Sequence, residues 1–138
     1  MVTPTTHPNL DLLRGMDEAM MRQDFAGMFA AYADDVIVHM GGHNALTGDY
    51  QGLDSLQALF GRFMQLSGAY SFTNHAYLAD SEHGIILQRG TMQRGDRSFS
   101  TDEVFIYHFR DGKISEFWYA PWDQAGVDTW WSVGTATP

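Results

Sequence analysis

At residue 70 the spacing of apolar residues changes from helical to alternating, and it stays alternating almost to the end of the chain. The segments "YSFTNHAYLA", "GIILQRGTMQ", "STDEVFIYHF" and "KISEFWYAPW" read as four strands separated by turns. No helix-length segment lies between them, so neighbouring strands are expected to run antiparallel. A chain with helices first and strands afterwards is restricted to an α+β arrangement.

The first half supplies the helices. Asn9 is the expected cap of a helix from Leu10, with Leu12, Leu13, Met16, Ala19 and Met20 on its buried stripe. Asp24 caps a second, "FAGMFAAYA", which Asp34-Asp35 ends. Asp54, with Gln57 three residues on, caps a third, whose stripe is Leu56, Leu59, Phe60, Phe63, Met64 and Leu66. Gly68 stops it. Val36-Ile37-Val38 is a strand before this helix, and "DQAGVDTWW" is a short closing helical turn. The expected architecture is three helices of the N-terminal half packed on one curved antiparallel sheet with a cone-shaped interior. A single domain spans 9–132, with flexible ends at 1–8 and 133–138.

Charge narrows the partners. Seventeen acidic side chains stand against eight basic ones, a net −9, and no Lys/Arg cluster offers a patch to phosphates, so nucleic acid is not expected. The absence of cysteine excludes disulfides, thiolate metal sites and a cysteine nucleophile. There is no apolar run long enough to span a membrane and no secretory signal, and a cytoplasmic location is the expectation. Eight methionines and 14% aromatic residues supply adaptable apolar surface, either as core or as the wall of a ligand cavity.

In "DDVIVHMGGHN", His39 and His43 are four residues apart, a spacing that joins two imidazoles only on a helix. Gly41-Gly42 between them argues against a helix, so no metal is expected. Strict alternation sets Val38 and Met40 on one face and His39 on the other, whereas a bulge at the glycines would reverse this. Further on, a three-residue loop at Arg110-Asp111-Gly112 pairs Phe109 with Lys113, Tyr107 with Ser115, Phe105 with Phe117 and Glu103 with Tyr119, all on one face. Val104, Ile106, His108, Ile114, Glu116 and Trp118 take the other face, where so much apolar surface suits a homodimer contact.

"DFAGMFAAYADDVIVHM", "LTGDYQGLDSLQALF", "HAYLADSEH" and "FRDGKISEFW", in that order and spacing, resemble the NTF2-like superfamily, and within it SnoaL-like and ketosteroid-isomerase-like proteins. The resemblance covers residues 10 to 131 and implies a dimer-prone cone with an apolar pocket. Relatives include isomerases, polyketide cyclases, epoxide hydrolases, dehydratases and non-catalytic binding proteins. The isomerase's general base aligns with Met40, its oxyanion-hole tyrosine with Met16 and its protonated aspartate with Tyr107. Methionine can neither take up a proton nor donate a strong hydrogen bond, so the chain is not that isomerase.

The same alignment turns the Glu103–Tyr107 face inward. The expected enzyme is cofactor-independent and works by acid–base chemistry on a small apolar carbonyl-, polyketide- or terpenoid-like molecule. His39, Tyr107, Glu103 and Tyr119 are its catalytic candidates, Glu103 being either a perturbed acid–base group or a solvated strand-end carboxylate. Met16, Met40, Phe105, Phe117 and Trp118 are the candidates for shaping the pocket. His75 is either structural or pocket-facing, and Asp123 either caps the last helix or works at the entrance. A rival reading is a non-catalytic binding or assembly module on the same fold.

Overall fold

Asn9 and His7 exchange the roles that local propensity suggests. In the structure, a computed structural model that describes residues 6–132, His7 caps α1 (Pro8–Met21) by accepting from the Asn9 amide at 3.0 Å. Pro8, which lacks a hydrogen-bonding amide, opens the first turn. Asn9 is buried, and its side chain reaches the Asp80 carbonyl at 3.0 Å. Asp24 caps α2 (Phe25–Phe29) as expected, but that helix has five residues, and the chain is already extended at Tyr32. Residues 1–5 and 133–138, part of the ends expected to be flexible, lie outside the described residues.

Four further features depart from the local expectation. The strand after α2 is longer than its apolar core, β1 (Tyr32–Met40), and a short strand, β2 (Gly48–Gln51), returns beside it. Gly52 then holds the N-cap place of α3 (Leu53–Ser67), without a side-chain cap, at a φ of 93°. Its amide instead bonds the Val36 carbonyl at 2.7 Å, so Asp54 lies inside the first turn. Strands β3 (Ala69–Ala79), β4 (His83–Arg94), β5 (Arg97–Arg110) and β6 (Lys113–Pro121) form the meander, and a fourth helix, α4 (Gln124–Trp130), follows. The sheet order is β2-β1-β6-β5-β4-β3, with β1 parallel to β6. The expected antiparallel sheet is thus a mixed sheet of six strands, because a strand from the helical half enters between β2 and β6.

The β5–β6 turn is tighter than expected. Asp111 and Gly112 alone form the loop, both at positive φ (53° and 75°), and Arg110 pairs with Lys113. A bulge then adds one residue, so Tyr107 faces Phe117, and Phe105 faces Tyr119. Tight turn and bulge together shift the register by two, which leaves the side chains of β5 and those of β6 beyond the bulge on their expected faces. Ile114, on the turn side of the bulge, is turned inward and fully buried.

Helices and sheet meet in one core that includes Leu10, Leu13, Val36, Val38, Leu56, Leu59 and Ile86. Full burial of such a side chain contributes about 1.5–3 kcal/mol relative to exposure. At the far end Trp130 donates to the Ser67 carbonyl at 3.1 Å and Trp131 to the Ser67 hydroxyl at 3.0 Å. These bonds tie α4 to the end of α3. Among the described residues, no helix is long and apolar enough to cross a membrane.

Candidate active site

Between the helices and the concave side of the sheet lies a cavity of about 120 Å³. Met16 and Met20 of α1, Met28 and Phe29 of α2, and Leu56, Leu59, Phe60 and Phe63 of α3 form its helical wall. Met40, Phe72, Phe105 and Phe117 form most of its sheet wall, with Trp131 at one end. Set into this apolar lining are Asp17, Gln88, Glu103 and the tyrosines Tyr32, Tyr70, Tyr107 and Tyr119, and no lysine, arginine or histidine.

The polar groups form two unlike clusters. Glu103 is 2% exposed and accepts from Tyr70 at 2.7 Å, from Gln88 at 2.9 Å and from Tyr119. Burial raises its pKa, and the three donors work against that rise. A carboxylate offers about four acceptor positions, so three donors nearly fill it. Gly90 of β4, which has no side chain, makes room for it: a Cβ there would collide with the Glu103 carboxyl. Tyr70 and Tyr119 stay protonated, because burial and the Glu103 charge raise their pKa values.

Asp17, 7% exposed, is held more loosely. Tyr77 donates to its Oδ2 at 2.7 Å, and Asn74 donates to the Tyr77 hydroxyl in turn. Asn74 Oδ1 is left buried without a partner. Burial pushes the Asp17 pKa up to about 6, against smaller lowering contributions from Tyr77 and Asn74. Its charge reaches Tyr32 and Tyr107 and helps burial to hold both phenols protonated. The hydroxyls of Tyr32 and Tyr107 have no hydrogen-bond partner among the described residues.

Of the residues singled out in the sequence, Met16, Met40, Glu103, Phe105, Tyr107, Phe117 and Tyr119 line the cavity. His39, Trp118, His75 and Asp123 do not. The alternation from Val36 runs without a bulge to Met40, so His39 is on the opposite face of the sheet. There its two ring nitrogens meet Asp49 at 2.7 Å and Glu116 at 2.6 Å, and the ring stacks on Trp118 at 4.9 Å. Partial burial disfavours its charge, but the bonds to Glu116 and Asp49 outweigh this and raise its pKa. His75 is exposed where β3 bulges between Asn74 and Ala76. Asp123 caps α4 by accepting from Gly126 at 2.9 Å. Among the described residues, no three His, Asp or Glu side chains gather as a metal site.

Asp17, Tyr32, Tyr70 and Gln88 were missed. Asp17 left one legible sign: it occupies the buried stripe of α1, four residues after Leu13 and next to Met16, where an acidic side chain is out of place.

A family model described as SnoaL-like domain matches residues 13–117. The chain belongs to this SnoaL-like family. The match contains the cavity-lining stretch from Met16 to Phe117, while Tyr119 and Trp131 fall beyond it. The uncharacterized protein Rv0034 of Mycobacterium tuberculosis is 28% identical over 133 residues, covering 93% of this SnoaL-like chain and 99% of its own. An NTF2-like protein of unknown function from Burkholderia pseudomallei superposes with a TM-score of 0.82 at 21% identity, covering 93% and 100% of the two chains. A protein of unknown function with a cystatin-like fold from Xanthomonas campestris gives 0.83 at 23% identity, covering 91% and 98%. Together these show an NTF2-like α+β fold with a curved mixed sheet of six strands and four helices.

Proposed function

We propose that this SnoaL-like protein is an acid–base enzyme that binds a small, largely apolar carbonyl-, polyketide- or terpenoid-like molecule in the cavity and rearranges it by proton transfer. The reaction class is isomerisation, cyclisation, dehydration or hydrolysis. The observation that carries this reading is the pair of hydroxyls on Tyr32 and Tyr107. Both line an apolar cavity, and neither has a protein acceptor among the described residues. With no protein acceptor, both residues' hydroxyls are left for whatever fills the cavity they line, and a carbonyl oxygen supplies an acceptor. Such donors also favour the developing oxyanion of a proton-transfer transition state over the neutral carbonyl.

Tyr119 is assigned a different part. Its hydroxyl donates a hydrogen bond to Glu103, as does that of Tyr70, so this cluster shapes one end of the cavity and holds it rigid. The carboxylates also repel anionic substrates, and among the described residues no cation lines the cavity to receive a carboxylate or phosphate. His39 lies outside the reaction. A second copy is proposed as partner, packed on the outer sheet face where Leu78, Leu87 and Ile106 stand exposed.

The test is a panel of ketones, epoxides and lactones screened for binding and turnover. Turnover is expected for at least one neutral member. Tyr107→Phe should weaken both binding and turnover, while His39→Ala should leave them unchanged. Tight binding with no turnover across the panel would establish a binding module instead.

A further inference from the structure

The cavity holds two carboxyl groups, and their surroundings suit them to different work. Glu103 accepts from three side chains on three strands and is packed against the bare backbone of Gly90. Burial raises the Glu103 pKa, but a carboxylate so nearly filled with donors has few acceptor positions left to meet a substrate proton. Asp17 is the opposite case. It projects from the buried stripe of α1 beside Met16, it is 7% exposed, and its one side-chain hydrogen bond of standard geometry is from Tyr77 to Oδ2. Asn74 makes a weaker contribution to the same carboxyl, and Asp17 lines the cavity. The elements packed around it bring Tyr77 and Asn74 from β3, Tyr32 from β1 and Tyr107 from β5. Arg14 lies over the Tyr77 ring at 5.4 Å, and Glu18 is near enough to raise the Tyr77 pKa, so these are the nearby charges that bear on the cluster.

We propose that Asp17 is the catalytic residue that takes a proton from the substrate and gives one back, with Tyr77 as its positioning residue and Tyr32 and Tyr107 as donors to the substrate oxygen. The assignment rests on the acid–base reading above and names its proton carrier. In the first step the Asp17 carboxylate takes a proton from the carbon next to the carbonyl. The C–H electron pair becomes the enolate double bond, and the carbonyl π pair moves to the oxygen, where the tyrosine hydroxyls donate to it. Between the steps the proton on Asp17 exchanges with water, and in the second step Asp17 delivers a solvent-derived proton to carbon as the carbonyl re-forms. No electron acceptor or co-reactant is needed. A carboxyl whose pKa lies at about 6 is near the working pH, where a general base is most effective.

The experiment uses the full chain and 2-indanone, a small neutral benzo-fused ketone, as probe. Exchange of its α-protons in deuterium oxide is followed by proton NMR from pH 5 to 8, with binding measured separately by fluorescence titration. Wild type is expected to accelerate exchange above buffer, rising with pH through a midpoint near 6. Asp17→Asn should lower the exchange rate at least about hundredfold with ketone binding retained. Tyr77→Phe should move the midpoint upward, because it removes a hydrogen bond that stabilises the carboxylate. His39→Ala, on the opposite face of the sheet, should keep the wild-type exchange rate. Wild-type exchange that persists in Asp17→Asn overturns the assignment and leaves the acid–base reading standing. A wild type that does not accelerate exchange overturns both.

Discussion

Tyr77 on the third strand donates a 2.7 Å hydrogen bond to Asp17 on the first helix, sixty residues earlier in the chain. That bond holds a buried carboxyl whose pKa is pushed up to about 6 from an ordinary 3.8. A raised carboxyl pKa means that the folded state binds the proton more tightly than the unfolded chain. The stability linked to Asp17 is therefore complete below the ordinary value and lost as pH rises through about 6. Asp17→Asn escapes this loss and still offers Tyr77 an acceptor. It should unfold at higher urea than wild type at pH 7.5, by up to about 3 kcal/mol, and show little difference at pH 4. Stabilisation combined with loss of activity is the pattern of a group retained for function.

Burial raises the Glu103 pKa as well, and what sets its variants apart is the number of donors they strand. Glu103→Ala leaves Tyr70, Tyr119 and Gln88 donating into a void, which costs about 3–5 kcal/mol, whereas Glu103→Gln keeps the volume and costs about 1–3 kcal/mol. Gly90→Ala, which changes no polar group, should also destabilise, because the new methyl displaces the Glu103 carboxyl. Urea titrations of the three variants give the order.

His39 should remain protonated above the pH at which a free imidazole releases its proton, because Glu116 and Asp49 stabilise the cation. With the folded pKa raised, its contribution to stability is complete below the ordinary value of 6.5 and lost as pH rises through the folded value. An NMR titration of its ring protons should show the upward midpoint. A midpoint at or below 6.5 would refute the pairing.

Ser67→Ala is expected to destabilise by about 1–3 kcal/mol, because it strips the Trp131 indole of its buried acceptor. The loss should appear as increased protease access to the C-terminal helix. Trp122, which is 84% exposed, gives the control: Trp122→Ala should leave stability unchanged.

The proposed pairing of two copies predicts a dimer mass by light scattering. Ile106→Glu places a charge at the centre of the exposed apolar face and should shift the mass to that of a monomer. An unchanged dimer would move the interface elsewhere.

Much of the cavity wall was legible before the structure. Alternation along β5 and β6 set Glu103, Phe105, Tyr107, Phe117 and Tyr119 on one face, and all five line the cavity. The expected register was wrong by two, yet side-chain direction repeats every two residues, so the error did not change which way these five face. His39 and Trp118 were placed in the pocket against that same alternation, and both lie outside it. Gly52 in place of Asp54 as the start of α3 escaped notice because its amide is engaged by Val36, sixteen positions earlier.

Helix and strand types, the α+β class and the inward face of each meander strand follow from the order of residues, because side-chain direction in a helix or a strand is a local property with a fixed period. Which strands become neighbours is not local. The parallel pairing of β1 with β6, and the meeting of Asp17 with Tyr77 and of Glu103 with Tyr70 and Gln88, exist only once the sheet curves over the helices. Only that closure removes water from two carboxyl groups that look alike in the chain. It surrounds Glu103 with three donors and holds Asp17 by Tyr77 with Asn74 behind it, and in the proposal that difference separates a structural anchor from a base.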